Sequence, residues 1–386
     1  MDPAAIVEHH VPDNALLGRP APPSLSSQLI YSFKAAHGEA APFARRSAFA
    51  NASIFHGPPA RTTQSCRKMA VRNHGPPAAG TATIAGFSRT GIIVARVRYL
   101  HLDVFAASVG GGNHLGVVLD AAHWSSAAMQ RFARWNNLVE TTFLLAPTRS
   151  EASYRVRIFT PHQEIPFASH PSIGSAHALL ESGLARPRDG LLWQECGAGV
   201  LPIRVEGEGA SRCLLLRPPS EQIVSTGLDV HPLLAAALRD IHIGALPPAL
   251  VAGGRKWWLA EVADEAVLRA WNPDHGAIGA LARATESMGL CVFARRASTD
   301  PALVVRAFPA GVGITEDPAS GAANGLIAAY LAKAEPAGPF ARGYVVSQGR
   351  EIDHDAELIV RVEDGDVWVG GRTHTVVRGT LDWDGA

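Results

Sequence analysis

The chain has 386 residues, and 35 basic and 35 acidic side chains give it a formal net charge of zero at pH 7. Hydrophobic residues make up 47% and charged residues 18%. This composition excludes a disordered chain, because such chains combine low hydrophobicity with high net charge. The balanced charge argues against a nucleic-acid partner. No apolar run reaches about 18 residues, so no membrane span is predicted.

Cysteine and histidine spacing predicts no metal site. The four cysteines, Cys66, Cys196, Cys213 and Cys291, are too few for a disulfide scaffold. No two of them are spaced like zinc ligands, and the sixteen histidines form no His-Glu-x-x-His motif. A reducing compartment follows from this cysteine usage, and we expect a cytoplasmic protein.

Residues 1–95 differ in composition from the rest of the chain. They hold nine basic and four acidic side chains, a net charge of +5, which leaves −5 for the remainder. They also contain ten of the 27 prolines, which disfavour long helices and paired strands. We therefore predict a low-order N-terminal extension. Three interpretations stay open: a disordered tail, a targeting peptide, or residues that precede a start at Met69 or near Val94.

Regular hydrophobic periodicity begins near Val97. Apolar and polar residues first alternate as in a strand, and later recur with helical spacing on a face that includes Met129 and Phe132. In chain order, the spacing predicts a strand at 97–105, a turn at 110–113, a strand at 115–119, a helix at 125–135 and a strand at 141–145.

Two segments of the chain resemble each other. Residues 170–176 (HPSIGSA) and 317–323 (DPASGAA) both read X-Pro-small-x-Gly-small-Ala, and an apolar helix is predicted after each. Upstream of them, Arg-x-Phe recurs at 157–159 and 306–308. These ordered landmarks predict a duplicated lobe, in which proline occupies the first position of each central helix.

The two predicted helix starts favour a carboxylate-binding cleft. A helix N-terminus presents free N–H groups and partial positive charge, so two such ends that face each other would bind an anion. We expect His170 and Asp317 at the two N-caps. Asp317 is also a sufficient N-cap without any other role, and His170 alone is equally explained as a capping or core residue. Ser169 either caps the helix or donates to a ligand.

Glu140 is a candidate general base. It precedes the apolar strand that contains Phe143, and burial would raise the pKa of its carboxyl toward neutral pH. Phe293 ends a similar strand in the second half, and counting back from it by the same three residues gives Leu290. The acid is therefore expected in one lobe only, which favours a one-base mechanism.

Beyond these features, the chain from about residue 96 resembles the PhzF-like phenazine-biosynthesis family, which has the diaminopimelate-epimerase fold. The segments that carry the resemblance are 103–105 (DVF) with 112–113 (GN), 137–143 (NLVETTF), 157–161 (RIFTP), 164–168 (EIPFA), 169–172 (SHPS) and 316–321 (EDPASG). They follow the family's order and span about three quarters of the chain.

The resemblance implies an α+β fold of two pseudo-symmetric lobes, each a β-sheet rolled around a central helix. We expect the first lobe at 96–217, completed by a C-terminal strand at about 373–386, and the second lobe at 218–372. The family also implies a homodimer.

The resemblance further implies a cofactor-free isomerase that transfers a proton between carbons of a small carboxylate-bearing substrate. In it, Glu140 removes and returns the proton, while His170 and Asp317 bind polar groups of the substrate and assist proton movement. The residues expected around the substrate are Asn113, Ser169, Ser172, Ser320, Gly321 and Ala322.

Two positions depart from the family pattern. Ser169 stands where the family usually has glycine, and Ala322 stands where serine is frequent. These differences leave the substrate open. An amino-acid racemase or epimerase of the same fold is an alternative, although no cysteine occupies either helix start. A non-catalytic small-molecule-binding relative is another, against which the joint presence of Glu140, His170 and Asp317 argues.

Overall fold

The structure is a computed structural model and describes residues 96–297 and 300–385. The extension predicted at 1–95 lies outside these residues. The strands are β1 (Val97–Val104), β2 (Asn113–Val118), β3 (Thr141–Leu145), β4 (Tyr154–Phe159), β5 (Glu164–Ile165), β6 (Leu191–Cys196), β7 (Gly199–Glu206), β8 (Cys213–Leu216), β9 (Gln222–Thr226), β10 (Ala249–Gly253), β11 (Arg255–Glu261), β12 (Leu290–Arg295), β13 (Leu303–Phe308), β14 (Gly343–Gln348), β15 (Ala356–Glu363), β16 (Asp366–Gly371) and β17 (Thr373–Leu381). The helices are α1 (Ser126–Asn136), α2 (Ser169–Glu181), α3 (Leu234–Ala237), α4 (Glu265–Ala270), α5 (His275–Thr285) and α6 (Gly321–Ala334).

One group of strands surrounds α2. In this group β17, β1 and β2 are antiparallel neighbours, β2 and β3 are parallel, and β3 and β4 are antiparallel. The pairing continues with parallel β4 and β6, then antiparallel β6, β7 and β8. Helix α2 contacts strands from both ends of this series, including β1, β2 and β8. The sheet is therefore rolled around the helix.

A second group of strands repeats this pattern around α6. Here β9, β10 and β11 are antiparallel neighbours, β11 and β12 are parallel, and β12 and β13 are antiparallel. Parallel β13 and β14 and antiparallel β14, β15 and β16 complete it. Each pairing has a counterpart of the same direction in the first group, and β8 with β16 joins the two groups. The predicted α+β fold with two pseudo-symmetric lobes is confirmed.

For the lobe boundaries we propose the division expected from the sequence, 96–217 with 373–386 and then 218–372. Two pairings support this division. The C-terminal β17 returns to β1, and β9, the first strand after residue 217, pairs with β10 of the second group.

The central helices are buried around their whole circumference because a sheet wraps each of them. In α2, the residues from Ser169 to Leu179 are all buried. Gly174 lies where β1 and β2 pack against the helix, and a Cβ there would overlap the Leu115 side chain. Glycine thus permits the close approach that a rolled sheet requires.

The elements predicted in the first half agree with the structure to within a few residues at their ends. Helix α1 starts after Ser125, whose side chain accepts the N–H of Ala128, and it ends at Asn137 in a left-handed conformation (φ 52°). Its buried face includes Met129 and Phe132, as the spacing predicts.

The prediction that proline begins each central helix is wrong. Helix α2 begins at Ser169, so Pro171 is its third residue, whereas α6 begins at Gly321, three residues after Pro318. Pro171 is tolerated because the first N–H groups of a helix have no intrahelical acceptor. The matching heptapeptides therefore lie at different positions relative to the starts of α2 and α6, although the strands around the two helices are equivalent.

Candidate active site

A cavity of about 580 Å³ lies at the N-terminal ends of α2 and α6. Residues of both strand groups line it, so neither lobe alone forms the site. The residues expected from the sequence that line it are Glu140, Ser169, His170, Asp317, Ser320, Gly321 and Ala322.

Glu140 immediately precedes β3, and pairing of Thr141 with Gly116 and Phe159 fixes its position. Its side chain is only 12% exposed, and its Oε2 atom has no hydrogen-bond partner among the described residues. Burial, together with the smaller effect of the Asp317 charge, raises the pKa of the carboxyl to about 8, and Arg255 opposes the shift. The group is therefore suited to take up and release a proton near neutral pH.

His170 is the second residue of α2, and its Nε2 atom lies 3.3 Å from Oε2 of Glu140. The two atoms do not have hydrogen-bond alignment. Burial lowers the pKa of the imidazole to about 3, although a hydrogen bond to the backbone of His114 opposes this. The ring is therefore neutral at pH 7, and its contact with Glu140 is not an ion pair.

Asp317 enters the cavity from the second lobe. Its Oδ1 atom accepts hydrogen bonds from Asn113 Nδ2 at 2.8 Å and from the Ala319 N–H at 3.2 Å. Burial raises the pKa of the carboxyl to about 6, while these donors and Ser320 oppose the rise. The pKa values of the two acids in the cavity are thus raised by different amounts. This difference assigns Glu140 and Asp317 different protonation states.

The expected N-cap positions of His170 and Asp317 are wrong. Ala168 is the N-cap of α2, without a side-chain hydrogen bond. Ser320 caps α6, and its Oγ atom accepts the N–H of Ala323 at 3.4 Å. Because Ser320 performs the capping, the Asp317 carboxylate is directed to Asn113 and the cavity instead.

Asn113 and Ser172 do not line the cavity. The Asn113 side chain donates to Asp317 and, at 3.0 Å, to the Ala319 carbonyl, so it holds residues 317–319 of the other lobe. Ser172 is fully buried, where its hydroxyl donates to the Ala168 carbonyl and accepts from Gln194, both at 2.8 Å. Both positions support the site from outside the cavity.

The first turns of α2 and α6 face each other. A Cβ on Gly321 would lie 2.7 Å from Cβ of Ser169, so only glycine permits this approach. The hydroxyl of Ser169 is buried without a partner among the described residues. Together with the unpaired N–H groups of two helix starts, it forms a corner of the cavity that is rich in hydrogen-bond donors.

The second lobe has no counterpart of Glu140. Strand pairing aligns Thr141 with Leu290, since each is opposite the phenylalanine that ends the next strand. The residue equivalent to Glu140 is therefore Gly289, and the sequence-based choice of Leu290 is wrong by one residue. Gly289 has φ +151°, and a Cβ there would overlap the Phe308 carbonyl oxygen. No acidic side chain fits at this position.

Sequence reasoning missed Arg255 and Met288. Both line the cavity from the second lobe, as does Trp257. No local pattern marks them except the Gly253-Gly254 pair before Arg255. Among residues 96–297 and 300–385, no group of three or more His, Cys, Asp or Glu side chains that could hold a metal is found, and no helix is long and apolar enough to span a membrane.

The two rolled lobes with a cleft between them define the epimerase-like fold class. The structure resembles a PhzF-family crystal structure from Bacillus anthracis (TM-score 0.63, 24% identity, covering 74% of this chain and 99% of that one). It also resembles a hydroxyproline epimerase from Agrobacterium vitis (TM-score 0.51, 17% identity, covering 74% and 92%). At these identities the likeness concerns the fold.

The sequence comparisons identify the family. The model of the PhzC-PhzF family of phenazine biosynthesis-like proteins matches residues 102–379, and the chain belongs to this family. It is 32% identical to trans-2,3-dihydro-3-hydroxyanthranilate isomerase of Pseudomonas chlororaphis, over 73% of this chain and 98% of that protein. It is 30% identical to antisense-enhancing sequence 1 of Schizosaccharomyces pombe, over 73% and 97%.

Proposed function

We propose that the protein is a cofactor-independent isomerase that moves a proton between carbons of a small carboxylate-bearing substrate. The observation that carries this proposal is the buried carboxyl of Glu140, which shares one cavity with His170 and Asp317. Curated relatives with named isomerase activity support the reaction class.

Glu140 acts as both base and acid in the proposed reaction. Its ionised carboxylate takes a proton from a carbon next to a double bond, and the C–H electrons spread over the allylic system. The protonated carboxyl then returns the proton to the other end of that system, and the double bond shifts. No electrons enter or leave, so the reaction needs no redox partner.

His170 and Asp317 bind the polar groups around the reacting carbons. The neutral imidazole donates or accepts one hydrogen bond without adding charge, and the Asp317 carboxylate accepts one from a substrate hydroxyl or amine. The substrate carboxylate occupies the corner formed by Ser169 and the first turns of α2 and α6. This corner supplies N–H and O–H donors. Their hydrogen bonds to the substrate strengthen as negative charge develops in the transition state.

Trans-2,3-dihydro-3-hydroxyanthranilate, on which the named relatives act, is the first compound to test. The cleft differs in hydroxyl placement from the family pattern, since Ser169 adds one at the start of α2 and Ala322 lacks one at the start of α6. These changes bring a donor to one side of the carboxylate site and leave the other side apolar. We infer that they alter substrate preference while the proton-transfer machinery is kept.

A racemase or epimerase of the same fold is the second candidate function. Its support is the structural likeness to a hydroxyproline epimerase. A symmetric two-base reaction requires a second acid at the position equivalent to Glu140, and Gly289 provides no side chain there. The free cysteines among the described residues, Cys196, Cys213 and Cys291, do not line the cavity.

The position of deuterium uptake separates these functions. The full chain is incubated in deuterated water with trans-2,3-dihydro-3-hydroxyanthranilate and a panel of unsaturated and amino carboxylates, and products are followed by NMR and mass spectrometry. Isomerisation places deuterium on a new carbon, whereas epimerisation labels the original stereocentre. A protein that binds panel members without labelling any of them is a binding protein, and the enzymatic proposal is then wrong.

A homodimer in the cytoplasm is proposed from the family resemblance. The exposed apolar residues Val376 and Val377, 50% and 48% exposed on β17, support a surface for self-association. Light scattering on the purified chain tests the oligomeric state, and a monomer at all micromolar concentrations contradicts the dimer.

A further inference from the structure

The hairpin between β10 and β11 places an arginine in the wall of the cavity. Gly253 pairs with Arg255 across a one-residue turn at Gly254, which has φ +71°. A Cβ on Gly253 would lie 2.6 Å from the Leu326 side chain of α6, so the turn is pressed against the central helix of the second lobe. Arg255 is therefore carried by a fixed element of the scaffold.

The guanidinium of Arg255 has no carboxylate partner within the described residues. Its one hydrogen bond there runs from Nη1 to Sδ of Met288 at 3.0 Å, and a thioether is a weak acceptor. Two other arginines of this lobe are paired with carboxylates: Arg306 with Glu316 at 2.8 Å, and Arg295 with Glu261 at 2.7 Å. The half-buried Arg255 is thus a cation with unused donors that face the cavity.

The surroundings of Arg255 increase the effect of its charge. Trp257, Met288 and Phe167 line the cavity near it, and apolar walls strengthen electrostatic interactions. His170 is neutral at pH 7, and Glu140 keeps its proton over much of the neutral range, for the reasons given above. Arg255 is therefore the permanent cation among the side chains that line this cavity.

We propose that Arg255 binds a second carboxylate of the substrate, which makes the substrate a dicarboxylic acid. The inference rests on the proposed function for the first carboxylate, which lies at the helix starts. A guanidinium matches a planar carboxylate with two parallel N–H donors. Arg255 is the one arginine or lysine that lines the cavity, and a single cation of this kind fits a carboxylate better than a doubly charged phosphate.

Calorimetric titration of the full chain tests this assignment. The probes are straight-chain dicarboxylates from succinate to suberate, the monomethyl ester of each, and 3-phosphonopropionate. At least one diacid is expected to bind about ten- to a hundredfold more tightly than its monoester, the usual range for a charge-assisted pair. In Arg255→Met this preference disappears, and in Arg255→Lys it is partly kept.

Lys256→Met is the matched control. Lys256 is the next residue of β11, points to the opposite face of the strand and does not line the cavity. Its loss must leave the diacid preference unchanged, and the melting temperatures of all three variants must stay close to that of the wild type. Equal binding of diacids and monoesters, no diacid binding, or a preference that survives in Arg255→Met overturns the proposal. Tighter Arg255-dependent binding of the phosphonate overturns the carboxylate assignment.

The deuterium assay keeps this inference distinct from the proposed function. Deuterium uptake into monocarboxylates, unchanged in Arg255→Met, leaves the isomerase standing and removes the role of Arg255. Arg255-dependent diacid binding without deuterium uptake into any probe supports the site and contradicts the isomerase.

Discussion

The two lobes share one pattern of strand pairing but contribute different chemistry to the cleft. Where β3 begins, the first lobe presents Glu140; where β12 begins, the second lobe has Gly289, with a conformation and a neighbouring carbonyl that exclude any side chain. The second lobe contributes Asp317 and Arg255 instead. Strand pairing depends on the backbone, so it is conserved between the lobes while the cleft residues differ.

This difference has a mechanistic consequence. A symmetric cleft with acids at both equivalent positions takes a proton from one face of a carbon and adds one to the other. A cleft with an acid at only one of these positions returns the proton from the same side, which suits transfer between the two ends of an allylic system. The asymmetry between Glu140 and Gly289 thus favours isomerisation over racemisation.

Removing the acid of the first lobe is expected to have the largest effect. In Glu140→Gln the carbonyl oxygen and size are kept, but no proton is accepted, so kcat should fall by about 10²- to 10⁴-fold, the usual contribution of a general acid–base group. Single-turnover deuterium uptake measures the loss.

Glu221→Gln is the matched control for this variant. Burial also raises the pKa of the Glu221 carboxyl, but the residue does not line the cavity. Its activity should equal that of the wild type. Glu140→Gln activity within tenfold of the wild type would show that the base is elsewhere.

Placing a side chain at the equivalent position of the second lobe is expected to disrupt the fold. Gly289→Ala forces a Cβ into the Phe308 carbonyl at a φ of +151°, so we expect a loss of about 3 kcal/mol or more in unfolding free energy. Urea unfolding measures it. Gly379→Ala, where a Cβ meets nothing within 4 Å, should change stability by less than about 0.5 kcal/mol. Equal stability of the two variants would remove the steric reason for the one-base site.

The parts of the site that the sequence predicts are those next to an element boundary. Glu140 directly precedes a strand, and His170 and Asp317 precede or begin helices, so short motifs reveal them. The early strands and α1 follow from periodicity of 2 and 3.6 residues. The duplication of the fold can also be predicted from the sequence, because Arg157 and Arg306 mark equivalent strands in the same order.

The parts that the sequence does not predict depend on distant contacts. Arg255 reaches the cleft only because β11 of the second lobe lies opposite Phe167 and Glu140, more than 80 residues earlier in the chain. Counting from Phe293 gave Leu290 because pairing register is not visible in a single strand. The proline error has a similar cause, since Ser320, and not the proline, determines where α6 starts.

The titration of Glu140 gives a test that needs no substrate. Its folded-state pKa is raised to about 8 from 4.5. Between pH 4.5 and pH 8 the folded protein therefore holds a proton that the unfolded chain has lost. The contribution of this proton to the free energy of unfolding is complete below pH 4.5 and is lost as pH rises through 8. Glu140→Gln has no such loss, and its melting temperature should exceed that of the wild type increasingly from pH 5 to pH 9. A difference that is constant with pH would contradict a buried, uncharged Glu140.

The smallest expected effect concerns the contact between the lobes at Asp317. Asn113→Ala removes the donor to Asp317 and Ala319, and because this donor lowers the pKa of Asp317, the pKa should rise. The acid limb of the kcat/KM profile then moves to higher pH, with about tenfold lower activity at pH 6.5 and less change at pH 8. Gln194→Ala, which removes an equally buried amide that bonds Ser172 and Tyr154, should cost similar stability without moving the limb. A shared shift in both variants would mean that general loosening, and not the loss of the Asn113 donor, changes the protonation of Asp317.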